Sequence, residues 1–79
     1  MSNISKKSKI GKNTTIAKSS KILDNVIIGN NVTIGDFCLI GVTSSNKKSK
    51  KLVIEDGVKI SSHSIIYLDS EIGKNSIIG

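Results

Sequence analysis

Residues 22–41 read Ile22-Leu-Asp-Asn-Val-Ile, Ile28-Gly-Asn-Asn-Val-Thr, Ile34-Gly-Asp-Phe-Cys-Leu, Ile40-Gly. An isoleucine recurs at every sixth residue. A valine or cysteine stands two places before Ile28, Ile34 and Ile40, and glycine follows each of those isoleucines. Self-similarity at a fixed period marks a repeat architecture, in which each unit buries its apolar face against its neighbours.

Outward from that stretch the ladder continues in both directions. Its rungs are Ile4, Ile10, Ile16, Ile22, Ile28, Ile34 and Ile40, then, after a break, Ile54, Ile60, Ile66, Ile72 and Ile78. The place two residues before a rung is nearly always small: Ser2, Ser8, Thr14, Ser20, Val26, Val32, Cys38, Val58, Ser64, Ser70 and Ser76, with Leu52 the one large exception. Residues two apart share a face of a strand, and β-branched isoleucine suits a strand. Each hexad therefore predicts a short strand with a small residue and an isoleucine pointing inward. A period of six matches neither 3.6 nor 3.5, so a helix is excluded.

Between strands the chain must turn. The turning places hold Lys12-Asn13, Asp24-Asn25, Asn30-Asn31, Asp36-Phe37, Asp56-Gly57 and Lys74-Asn75. Asn, Asp and Gly tolerate the left-handed backbone of a tight corner. Strand and corner at this period describe a triangular prism, three hexads to a coil, with parallel sheets on its three faces.

The pattern Ile-Gly-x-x-small-x resembles the hexapeptide-repeat acyltransferases. That resemblance implies an all-β, left-handed parallel β-helix, where strand pattern alone would suggest a right-handed crossover. The expected organisation is a single solenoid over residues 1–79, with repeats 2–41 and 52–79 and one extruded loop, 42–51. The loop stands where a corner normally takes two residues, and it is polar, with four lysines. In the family such loops can border the acyl-donor site, and lysines could attract the phosphates of coenzyme A. A solvated loop without a ligand explains the same composition.

Composition narrows the function. Aromatic residues are only 3% of the 79, so the core must be aliphatic. Every basic residue is lysine and the net charge is +6, which raises the question of nucleic acid. Without arginine for bidentate contacts, and with only Phe37 and Tyr67 to stack on bases, a nucleic-acid partner is not expected. No apolar run approaches a membrane span of about 20 residues, and residues 1–9 lack the apolar stretch of a signal peptide. One cysteine, Cys38, and no disulfide framework fit a reducing, cytoplasmic setting. Cys38 takes an inward small place, which suits a buried inert thiol rather than a nucleophile.

Segment 52–79 is similar to the middle of sugar and sialic-acid-type acetyltransferases. This implies acetyl transfer from a coenzyme A thioester to a sugar-type amine or hydroxyl. Acetyl-coenzyme A would be a co-substrate, with no tightly bound cofactor. His63 is the sole histidine and hence the sole candidate base of that kind. It takes the corner place that Asn13, Asn25, Asn31, Gly57 and Asn75 take elsewhere, which backbone geometry alone accounts for. In the relatives a Gly-His pair commonly follows such a segment. The expectation is that the base lies beyond Gly79 and that the chain by itself is inactive. A zinc site built from three histidines of two subunits, known among relatives, cannot be met by one histidine per chain.

If the loop is an insertion at one corner, Ile4, Ile22, Ile40 and Ile66 share a face. Leu23, Leu39, Ile65 and Tyr67 then form an outward apolar stripe on it. If the loop replaces a whole hexad with two extra residues, the stripe dissolves. The stripe and the family resemblance suggest a homotrimer. Uncapped coil edges suggest end-to-end stacking, the mark of a non-catalytic assembly module.

Overall fold

The structure, a computed structural model, describes residues 3–43 and 50–79. Residues 1–2 and 44–49 lie outside the described residues, so Ser2 and most of the expected loop are not placed. The chain winds into four triangular coils of a left-handed parallel β-helix. The first coil holds an isolated bridge at Ile4, β1 (Lys9–Ile10) and β2 (Thr15–Ile16). The second holds β3 (Lys21–Ile22), β4 (Val26–Ile28) and β5 (Thr33–Ile34). The third holds β6 (Leu39–Val42), β7 (Leu52–Ile54) and β8 (Lys59–Ile60). The fourth holds β9 (Ile65–Tyr67), β10 (Glu71–Ile72) and β11 (Ile77–Ile78).

Stacking of coils makes three parallel sheets. Face A is β3-β6-β9, face B is β1-β4-β7-β10 and face C is β2-β5-β8-β11. Register is set rung on rung: Ile4, Ile22, Ile40 and Ile66 form one column, Ile10, Ile28, Ile54 and Ile72 the second, Ile16, Ile34, Ile60 and Ile78 the third. The pairing of Ile40 with Ile66 settles the loop question. It is an insertion at the corner between faces A and B, and no hexad is lost. The insertion is narrower than 42–51. Val42 belongs to β6 and pairs with Tyr67, and the carbonyl of Lys51 accepts the Asp69 N–H at 3.1 Å.

The small inward residues do more than fill space. The core consists of the rungs with Val26, Val32, Cys38, Leu52, Val58 and Leu68. Ser20, buried with them, donates its hydroxyl to the Gly35 carbonyl at 2.5 Å and accepts the Cys38 N–H at 2.9 Å. Thr14 does the same between the Gly29 carbonyl (2.8 Å) and the Val32 N–H (3.3 Å). One hydroxyl thus joins two coils where a methyl would leave their corner backbone unpaired. Leu68, in a place where other hexads hold Asp, Asn, Lys or Ser, is also buried.

The corners turn as their residue types require. Asn13, Asn25, Asn31, Phe37, Gly57, His63, Asp69 and Asn75 all have positive φ. Gly41 is a separate case. It sits at a register shift in β6 with φ of +99°, and a Cβ there would lie 2.5 Å from Val26 Cγ2. Glycine is what allows the strand to bulge as it approaches the insertion.

Candidate functional site

Among the described residues, the six-residue spacing is interrupted at the corner between faces A and B. Successive coils there put Lys7, Asn25, Lys51 and Asp69 in one column, joined by Asn25 N–H to the Lys7 carbonyl and Asp69 N–H to the Lys51 carbonyl. Beside it, on face B, Lys9, Ile27, Val53 and Glu71 stack outward in register. Here lies a groove of about 610 Å³, lined by Asn25, Lys50, Lys51, Val53, Asp69, Ser70 and Glu71. Its chemistry is mixed. Two ammonium groups offer strong donors for phosphate or carboxylate, Val53 gives an apolar wall, and two carboxylates fix where an anion would not sit.

His63 is elsewhere. It links β8 on face C to β9 on face A, so it stands on the other edge of face A from the groove. Its φ is +65°, its N–H donates to the Asp36 carbonyl at 2.8 Å, and its ring stacks on Phe37 with centroids 5.3 Å apart and planes 23° from parallel. Phe37 holds the same corner place one coil below, with φ of +55°, and is 63% exposed. A general base must reach the reacting proton directly or through one water. His63 has no such reach to a ligand held by Lys50 and Lys51 on the same chain.

Cys38 is a free thiol, 3% exposed, its Sγ–H directed to the Ser61 carbonyl at 3.2 Å. It is part of the core and faces neither the groove nor His63. Among the described residues no three His, Cys, Asp or Glu side chains converge as a metal site would require, and no helix is long and apolar enough to cross a membrane.

Face A carries the apolar stripe. Its outward places in the third and fourth coils are Leu39, Val42, Ile65 and Tyr67, none of them charged. Ile65 is 57% and Tyr67 48% exposed. One coil below, Leu23 continues one side of it, while Lys21 lies beneath Leu39 and bounds the other. Phe37 and His63 border the same surface along the corner. The aromatic pair is what sequence reading missed: the sequence shows Phe37 only as a corner residue and one of two aromatics, and its place directly beneath His63 follows from the coil length.

Residues 7–41 match the family model of the bacterial transferase hexapeptide (six repeats). The strand columns continue the same six-residue ladder to residue 78. Comparison with curated proteins and with solved structures gave no match.

Proposed function

We propose that the chain serves acyl transfer from a coenzyme A thioester by holding the donor in the groove at the inserted corner. The observation that carries this is the pair Lys50 and Lys51 beside the apolar wall of Val53, on a repeat shared with bacterial transferases. The ammonium groups would take the nucleotide phosphates, and the wall would take the apolar arm. In the transfer itself an amine or hydroxyl of a sugar-type acceptor attacks the thioester carbonyl, loses its proton to a base, and expels the thiolate. His63 is not placed to be that base within one chain, so the chain's own share is donor binding rather than proton transfer. A buried free thiol at Cys38 fits the reducing cytoplasm in which such thioesters are used.

Titrating the chain with coenzyme A and following backbone amide resonances tests this. Changes centred on Asn25, Lys51, Val53 and Ser70, lost in Lys50→Glu/Lys51→Glu, support the reading. No perturbation, or perturbation confined to the Phe37–His63 corner, contradicts it.

A second reading, an assembly module, is favoured by the uncharged strip that face A carries in its third and fourth coils. In a chain of net charge +6, an uncharged apolar surface is where copies can approach without repulsion. Interface cores are depleted of charge. We place a homotrimeric contact there, around Ile65 and Tyr67. Replacing both by lysine should disperse it.

A further inference from the structure

We propose that His63 is an acid switch on the face-A contact between copies, a device that rests on the assembly reading of that face. Neutral, the imidazole lets two copies meet; protonated, it drives them apart. Ile65 follows His63 by two residues, and Leu39 follows Phe37 by two. Coil on coil, His63 lies over Phe37 and Ile65 over Leu39. These four side chains form a block at one edge of face A, which Val42 and Tyr67 continue across the face. Five of the six are uncharged. Histidine is the side chain whose charge changes between about pH 5 and 8, and His63 is exposed, so its protonation requires no opening of the core.

The ring is held where its charge counts. It stacks on Phe37 with centroids 5.3 Å apart, and the bond from its N–H to the Asp36 carbonyl fixes the corner at φ of +65°. A cation over an aromatic face is attracted to it, so the imidazolium stays at the edge of the strip instead of turning away. The surrounding charges do not cancel it. Lys59 is the ionisable residue of β8, and Tyr67 that of β9. The corner beneath, between β5 and β6, holds Asp36, whose carboxylate accepts the Ser19 hydroxyl at 3.0 Å; neither strand carries a charge. The next corner down holds Lys18, and β3 begins at Lys21. Three lysines against one carboxylate leave the surround positive, in a chain of net charge +6. In a symmetric contact every copy brings the same group to the same edge, so protonation sets like charges against one another across it.

Sedimentation velocity at about pH 7.5 and about pH 5.5, on either side of the imidazole range, reads the switch, with circular dichroism to confirm the fold at both. The association constant of the unaltered chain should fall by about tenfold or more at the lower pH. Added salt should restore part of it, because screening weakens repulsion between exposed charges. His63→Asn keeps the corner, since Asn13, Asn25, Asn31 and Asn75 turn with positive φ in the same place. That variant should associate equally at both pH values. Association by the unaltered chain that is the same at both overturns the switch alone and leaves the face-A reading standing. So does a loss in acid that salt does not touch. A His63→Asn variant that weakens in acid as much as the unaltered chain assigns the effect to carboxylates and overturns the switch. One that associates at neither pH makes the imidazole a contact group and overturns it too. A chain that is monomeric at both pH values overturns the face-A reading and the switch with it.

Discussion

Shortening the rungs of face C one at a time should show a gradient along the solenoid axis. Ile16, Ile34, Ile60 and Ile78 are the same residue in the same place of successive coils. Ile34 and Ile60 are 1% and 2% exposed, while Ile16 and Ile78 are half-buried. Replacing isoleucine by alanine deletes three carbons, about 2.4 kcal/mol at roughly 0.8 kcal/mol per buried methylene. Between two packed coils a cavity term adds to this, so Ile34→Ala and Ile60→Ala should cost about 3–5 kcal/mol. At the outer coils water can fill the space and part of the side chain was never desolvated. Ile16→Ala and Ile78→Ala should cost about 1–2 kcal/mol. Urea unfolding followed by far-ultraviolet circular dichroism, in dilute solution where copies do not meet, measures all four. Equal costs, or a larger cost at Ile16 than at Ile34, would refute the reasoning.

Ile34→Asp should leave no folded protein, because an unpaired carboxylate in a dry core costs several kcal/mol or must neutralise; a soluble variant with an intact β signal would contradict it. Gly41→Val should destabilise by about 1–3 kcal/mol, since φ of +99° and the nearby Val26 methyl both reject a branched side chain; unchanged urea midpoints would count against the bulge. Ser20→Ala should cost about 1–3 kcal/mol by leaving the Cys38 N–H and the Gly35 carbonyl without their shared partner. His63→Ala should not alter thiol release from acetyl-coenzyme A with amino-sugar acceptors; turnover by the chain that disappears in this variant would make His63 the base.

The fold was legible because one residue type repeats at one interval. Isoleucine at every sixth place specifies strand, inward face and coil length together, and the columns before the insertion, Ile4–Ile22–Ile40, Ile10–Ile28 and Ile16–Ile34, follow by counting. The corner places were legible for a different reason: Asn13, Asn31 and Asn75 are residues that the left-handed region favours. Phe37 and Asp69 turn in the same conformation without that signature being decisive. Counting could not choose between an inserted corner and a lost hexad, because both preserve the ladder on either side. The pairing of Ile40 with Ile66 decides it, and that depends on backbone geometry. The roles of Ser20 and Thr14 as bridges between coils were hidden because smallness alone explained their places. The groove was half legible. The lysines announced themselves, but Asp69, Ser70 and Glu71 reach it only because the fourth coil lies over the third.

The most direct measurement is the backbone register across the insertion. Amide-to-alpha nuclear Overhauser contacts between neighbouring parallel strands report it without reference to side chains. Contacts joining Leu39 and Ile40 to Ile65 and Ile66 are expected, together with a slowly exchanging Leu39 N–H bonded to the Ser64 carbonyl, 2.9 Å away. Contacts joining Leu39 and Ile40 to Lys59 and Ile60 instead would mean that a hexad had been lost, and would dissolve the apolar strip on face A and displace the groove.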